Sequence, residues 1–215
     1  MFPPVLGSSI LKRAISKGVA GVQVHDLRDW SRDKHKKVDD RPYGGGPGMV
    51  MRPEPFFDAV DDLKKAAPGE PHIILMSPQG KRMTQPDAER LAKIRWMILL
   101  CGHYEGVDER VRTGLADEEV SIGDYILTCG ELPAMVLIDS VVRLLPGSLG
   151  DEQSPREESF GEGRLLEYPQ YTRPTDYRGM RVPEILRSGD FVRIAEWRKL
   201  QALRRTWIKR PDLVH

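Results

Sequence analysis

Apolar runs of strand length that stop on glycine, set between helical patterns, constrain this chain more than any other feature. His72 to Met76 stops at Ser77-Pro78-Gln79-Gly80, and Trp96 to Cys101 stops at Gly102 in CGHYEGVDERV. Pro53 to Ala67 precedes the first run, with Phe56, Phe57, Val60 and Leu63 on one stripe. Pro86 to Lys93 joins the two runs, with Ala88, Leu91 and Ala92 to bury. Strand, glycine loop and helix in alternation predict an α/β fold around a mostly parallel sheet. In such sheets ligands collect beyond the carboxyl ends of the strands.

The stretch SIGDYILTCGELP, Ser121 to Pro133, repeats the theme in compressed form. A turn over Ile122-Gly123-Asp124-Tyr125 enters the apolar pair Ile126-Leu127, which reads as a short buried strand. A second turn, Thr128 to Glu131, leads to Pro133, whose missing N–H costs nothing in the first turn of a helix. Leu132 to Leu145 is then a strongly apolar helix that Pro146-Gly147 stops. Three candidate ligand loops follow: Met76 to Gly80, Gly102 to Gly106, and Ile122 to Gly130. Arg143 falls in the last helical turn, where a cation suits the helix dipole; a functional role stands equally open.

Ahead of these elements, Ile10 to Lys17 reads as a short helix and Val19 to Leu27 as a strand with Val22 and Val24 on one face. Arg28 to Arg41 is dense in both charges and reads as a solvated loop. Asp39 to Met51, DDRPYGGGPGMVM, must be a loop, because three consecutive glycines and Pro47-Gly48 forbid a helix. It has neither the G-x-G-x-x-G spacing nor a G-K-[ST] ending. A linker and a functional loop both remain open for it.

With Lys plus Arg at 33 and Asp plus Glu at 32, the net charge of +1 means that a nucleic-acid partner must be held by local patches. Two cysteines, Cys101 and Cys129, are too few for a disulfide framework or a thiolate zinc site and fit a reducing cytosol. The longest apolar run is of strand length, so no membrane span is expected. Composition shifts after Gly150. Asp151 to Glu167 carries six acidic residues against two basic ones and reads as an exposed linker, and Tyr168 to Pro183 as irregular chain. Pro183 to Arg187 reads as a short helix, and Phe191 to Trp207 as a longer one with Ile194, Trp197, Leu200 and Leu203 inside. From Arg187 to Arg210 there are eight Lys or Arg against two acids, the basic patch that the net charge conceals. The expected domains are 1–149, an acidic linker 150–167, and a small basic helical domain 168–215.

DDRPYGGGPGM, SPQG, CGHYEGVDERV, SIGDYILTCGELPAMVLIDSVVRLLPG and EYPQYTRP, in this order and at these spacings, closely resemble the bacterial tRNA (guanine-N1)-methyltransferases, the TrmD family. The resemblance covers nearly the whole chain and rests on five irregular motifs in register. It implies a SPOUT-class α/β sheet whose C-terminal part is threaded into a deep trefoil knot, which no periodicity would predict. It also implies a cytoplasmic homodimer with the active site at the subunit interface, and S-adenosylmethionine as methyl donor. Mg²⁺ is an optional second cofactor, with no protein metal site expected. The substrate implied is the guanine just 3′ of the tRNA anticodon, methylated at N1. Rival readings are another SPOUT methyltransferase acting on a different RNA and a catalytically impaired RNA-binding dimer.

Carried over residue by residue, the donor site comprises Met76, Ser77, Pro78, Gly102, Glu105, Ile122, Gly123, Asp124, Tyr125, Ile126, Leu127, Gly130 and Pro133. Cys129 falls where relatives carry glycine. Arg143 matches the arginine assigned to guanine O6, and Glu158, in Glu158-Ser159-Phe160, stands where the family has an aspartate as base; Glu157 competes for that role. Asp39, Tyr43, Gly48, Tyr104 and Glu105 are expected around the guanine, and Arg198, Lys199, Arg204 and Arg205 on tRNA phosphates. Relatives carry an apolar strand ahead of the Phe-Pro pair, whereas this sequence starts at Met1-Phe2-Pro3. An unfilled strand slot would expose a sheet edge.

Overall fold

Three parallel strands organise the first part of the chain, in the order β4-β3-β5, with β3 (His72–Arg82) between β4 (Met97–Cys101) and β5 (Glu118–Ser121). The structure is a computed structural model that describes residues 1–66, 69–149, 158–161 and 163–214. The chain divides into two compact units, Met1–Gly150 and Asp151–His215.

Side-chain alternation along β3 and β4 gives each face of the sheet its own core, as the period of two requires. Ile73, Leu75, Ile98 and Leu100 point to one face, where Phe56 and Val60 of α3 (Pro53–Ala66) and Val111 of α5 (Glu109–Leu115) cover them. Ile74 and Met76, with Val120, point to the other face. There they meet Ala88 and Leu91 of α4 (Gln85–Leu91) and Ala134, Leu137 and Val141 of α6 (Glu131–Val142). On a further side of α6, Val142 packs on Leu11 and Ala14 of α2 (Ser9–Ser16), which follows the short α1 (Phe2–Leu6).

Register places the strand ends at one level. Met76 lies opposite Cys101 of β4 and Val120 of β5, so the three following segments leave the sheet side by side. Strand β3 continues past this point only after an interruption, since Val120 is the partner of both Met76 and Lys81 and Ser77–Gly80 swings out between them. Gly80 is required there, because a Cβ on it would sit 2.5 Å from the backbone of Glu119 and Val120.

Two sequence expectations fail here for one physical reason. Val19 to Leu27 forms no strand: only a 3-10 turn at Leu27–Trp30 is regular, and Val24 is exposed. Ile126-Leu127 is likewise no strand, with Ile126 exposed. Alternation or apolarity over a few residues counts for nothing where no neighbouring strand offers a ladder. The charged loop is more tied down than its composition suggests: Arg32 grips Asp58 of α3 through two bonds of 2.7 and 2.8 Å, and Trp30 donates to Asp62. The glycine-rich segment turns out to be the tip of a hairpin, β1 (Asp39–Asp40) with β2 (Val50–Met51), so it is no linker.

The amino end of α4 is held by Asp87, a buried carboxylate that accepts from Thr84 N (3.0 Å), Thr84 Oγ1 (2.6 Å) and Lys81 Nζ (2.7 Å). Burial raises the acid's pKa, but the Lys81 and Thr84 donors together outweigh that, leaving the group below its ordinary value. A depressed folded pKa stabilises above the unfolded value, about 3.9, and that stability is lost as pH falls through the folded value. Asp87→Asn is therefore expected to cost about 1–3 kcal/mol at neutral pH. Urea titrations should show the gap to the wild type closing as pH drops below about 4.

In the second unit, α7 (Phe191–Lys209) is capped by Asp190, whose side chain accepts from Arg193 N at 3.1 Å. Thr206, fully buried, accepts from Leu166 N and donates to Ala202 O, both at 2.8 Å. Tyr168 to Pro183 is not wholly irregular: Asp176–Tyr177 (β6) and Met180–Arg181 (β7) form a hairpin. Leu200 and Leu203, expected inside, are exposed. Only Ile194 and Thr206 of this helix are buried among the described residues.

Candidate active-site cleft

Beyond the shared level of the strand ends lies a cleft of about 460 Å³. Its walls are the Ser77–Gln79 excursion, the Gly102–Val107 loop, and the returning segment from Ile122 to Gly130, closed off by Pro133 at the start of α6. Backbone rather than side chain brings two of these walls together. Gly130 N donates to Gly102 O at 2.7 Å, and His103 bridges Cys129 in antiparallel fashion. A Cβ on Gly130 would stand 2.7 Å from Gly102 N and 2.8 Å from Cys101 Cα, so only glycine fits this crossing.

The hairpin β1-β2 is pinned beside the same loop. Glu105 N donates to Met49 O, Met51 N to Gly106 O and Asp108 N to Met51 O, at 3.1, 2.9 and 2.9 Å. Gly48 lies so close beneath the Glu105 side chain that a Cβ would collide with its carboxylate. Tyr104, with φ of +60°, lines the cleft.

All the residues expected at the donor site line this cleft except Asp124, whose carboxylate is exposed and lies 3.6 Å from Arg82. The turn's geometry explains the exception. Tyr125 N bonds back to Gly123 O at 2.9 Å, and Asp124 sits at the apex of that tight turn. Of the residues expected around the guanine, Tyr104 and Glu105 line the cleft and Gly48 touches Glu105, while Tyr43 at the hairpin tip is fully exposed and Asp39 belongs to β1. Arg143 caps the carboxyl end of α6, its N–H bonded to Asp139 O at 3.2 Å. Glu158 belongs to the second unit, where its carbonyl accepts from Gly161 N at 3.0 Å; Glu157 lies outside the described residues. Arg198, Lys199, Arg204 and Arg205 all lie on α7.

Sequence reasoning missed Glu109, Arg112 and Glu119, which also line the cleft. Arg112 is gripped by Glu109 and lies 3.8 Å from Glu119. They belong to α5 and β5, elements of seven and four residues that are too short for a periodic signal. Cys101, at the end of β4, is no nucleophile: burial and then the Glu131 carboxylate push its thiol up to about 12.

A parallel α/β sheet with a backbone-walled cleft at its carboxyl edge is the arrangement in which α/β domains bind ligands, and a second, smaller unit follows it. Comparison with known proteins sharpens this class. The family model described as tRNA (Guanine-1)-methyltransferase TrmD matches residues 1–215. Curated proteins named tRNA (guanine-N(1)-)-methyltransferase are similar over the whole chain: that of Geobacillus kaustophilus at 59% identity, covering 87% of that protein, and that of Bacillus subtilis at 56%, covering 88%. The homologue of Halalkalibacterium halodurans is 58% identical, with 87% of its length covered. The chain belongs to the tRNA (guanine-1)-methyltransferase TrmD family.

Proposed function

We propose that this chain transfers the methyl group of S-adenosylmethionine to N1 of the guanine just 3′ of the tRNA anticodon. The observation that carries the reading is the cleft itself, built where a parallel sheet presents ligands and walled by the segments the family resemblance assigns to the donor. Its volume lies within the range of about 300–1,000 Å³ typical of cofactor sites. The donor fits the walls: the Gly102–Gly130 crossing offers backbone without side-chain bulk, and Tyr125, Ile126 and Leu127 supply apolar surface. S-adenosylmethionine, when bound, supplies an electrophilic methyl on a sulfonium.

The rest of the chemistry falls to the protein. Guanine N1 bears a proton, so a carboxylate must take it as the N1–C bond forms, and negative charge drifts toward O6. Glu158 is the base in this reading, and the Arg143 guanidinium answers the charge at O6 and orients the ring. Tyr104 and Glu105 border the guanine, which leaves its stack to reach them. Arg198, Lys199, Arg204 and Arg205 hold tRNA phosphates.

The finer architecture belongs to the same proposal. The return of Ile122–Gly130 to pair with the Gly102 loop supports a SPOUT-class trefoil knot at this point. Exposed Leu132 and Val136, one turn apart on α6, and exposed Ile126 support a homodimer that covers them and completes the site. Among the described residues no helix is long and apolar enough to cross a membrane; a cytoplasmic place belongs to this reading on the family resemblance alone. Mg²⁺ keeps its optional place, and no group of three His, Cys, Asp or Glu among the described residues stands ready to hold it alone.

The experiment is tritiated-methyl transfer from S-adenosylmethionine to a purified tRNA transcript, with the product located by mass spectrometry. The expected product is 1-methylguanosine beside the anticodon, and none in a transcript carrying adenine there. Methylation undiminished by that replacement would reject the site assignment, and no transfer to any tRNA would reject the activity.

A further inference from the structure

A second cleft, of about 510 Å³, lies wholly within the C-terminal unit and has no part in the roles above apart from Arg198. It opens between the segment Tyr168–Thr175 and the first two turns of α7. Arg173, Arg187 and Arg198 line it, and no Asp or Glu does. Other arginines of the chain are bound to carboxylates: Arg90 to Glu118, Arg110 to Asp108, Arg181 to Asp176. Among the described residues, the side chains of the three cleft arginines make no ion pair or hydrogen bond.

Arg198 is held instead by stacking, its guanidinium 4.6 Å from the centre of the Tyr168 ring, with Nε buried and unpartnered among the described residues. Tyr171 and Phe191 add exposed aromatic faces at the same opening. Three like charges kept together without counter-charges are relieved by a polyanion, and aromatic faces beside them suit a planar base. Lys199, Arg204 and Arg205 lie outside this lining, so charge along α7 does not by itself define the site.

We infer that this cleft takes one unstacked nucleotide of the tRNA, distinct from the methylated guanine, with its base on Tyr171 and its flanking phosphates on Arg173 and Arg187. The inference rests on the proposed tRNA substrate. A single-stranded loop nucleotide fits this chemistry better than a duplex, whose bases are not free to stack on protein.

The test is a titration of the full-length protein with a fluorescent anticodon stem-loop RNA across a salt series. Arg173→Gln with Arg187→Gln should weaken binding about tenfold and reduce the slope of log K against log salt by about 1.4, two single-strand phosphate contacts at about 0.7 each. Tyr171→Leu should weaken binding about tenfold with the slope unchanged, within the range for one lost base stack. Arg173→Lys with Arg187→Lys should restore the slope, which a misfolded unit would not. Calorimetric titration with S-adenosylmethionine should give the wild-type Kd for every variant.

A Gln double variant with wild-type affinity and slope overturns the cleft assignment and leaves the methyl-transfer reading standing. A lost slope with no effect of Tyr171→Leu overturns the nucleotide in favour of a plain phosphate track. A wild-type protein that neither binds the stem-loop nor methylates tRNA overturns both readings together.

Discussion

Gly130→Ala is expected to cost about 3 kcal/mol of stability, the upper end for overpacking, and to abolish detectable S-adenosylmethionine binding. The added methyl would meet Gly102 N at 2.7 Å and Cys101 Cα at 2.8 Å, backbone atoms at and just beyond the end of the β3-β4 ladder. Neither can turn aside as a flexible side-chain end would. Relief requires the two walls to part, which breaks the 2.7 Å bond from Gly130 N to Gly102 O and opens the cleft between them. Gly21→Ala is the control, since its Cβ meets nothing within 4 Å, and it should stay within about 0.5 kcal/mol of the wild type. Urea unfolding and calorimetric titration read the two effects separately. A Gly130→Ala protein with the wild-type midpoint would mean that the two segments do not approach as closely as the structure has them.

What the sequence disclosed depended on how far each signal extends along the chain. His72–Met76 and Trp96–Cys101 were legible because uninterrupted apolar runs bounded by glycine leave few alternatives, and both are strands, β3 at the centre of the sheet and β4 beside it. Strand β5 escaped notice since Glu118 and Glu119 hide its only apolar residue, Val120, although parallel pairing with β3 holds it firmly. The opposite error befell Ile126-Leu127, where apolarity suggested burial but the residues form an exposed edge of the cleft. Apolar residues kept in solvent are a functional signal that periodicity reads as core. Leu200 and Leu203 of α7 are likewise exposed where periodicity reads core.

The candidate site was legible as three loops and illegible as a surface. Sequence order placed Met76–Gly80, Gly102–Gly106 and Ile122–Gly130 at strand ends, but that they share one level follows from Met76 facing both Cys101 and Val120, a register no local pattern encodes. The pinning of Met49 and Met51 to the Gly102 loop is likewise a long-range matter, settled by backbone bonds between segments more than fifty residues apart. Asp124 shows the limit of transfer by motif: it lies between Gly123 and Tyr125, which both line the cleft, yet the turn aims it outward at Arg82.

Glu158→Gln is expected to lower single-turnover methyl transfer by about 10²–10⁴-fold, the span for a lost general base, with the Kd for S-adenosylmethionine unchanged. The carboxamide keeps the size of the side chain and cannot take the N1 proton, so a loss confined to the chemical step identifies the proton acceptor. Arg143→Gln should cost about 10²–10³-fold at the same step if its guanidinium answers the charge at O6, as proposed. The family resemblance implies an aspartate where this chain has Glu158. The reference acidities of about 3.9 and 4.3 make the exchange electronically small, while one methylene changes reach. Glu158→Asp therefore separates the two properties: basicity is kept and reach is shortened, so an intermediate rate is expected. If Glu158→Gln transfers methyl at the wild-type rate while Glu157→Gln abolishes transfer, the base is Glu157. An intermediate Glu158→Asp beside an inactive Glu158→Gln would instead show that reach tunes the base in this chain, while the carboxylate itself is what the step requires.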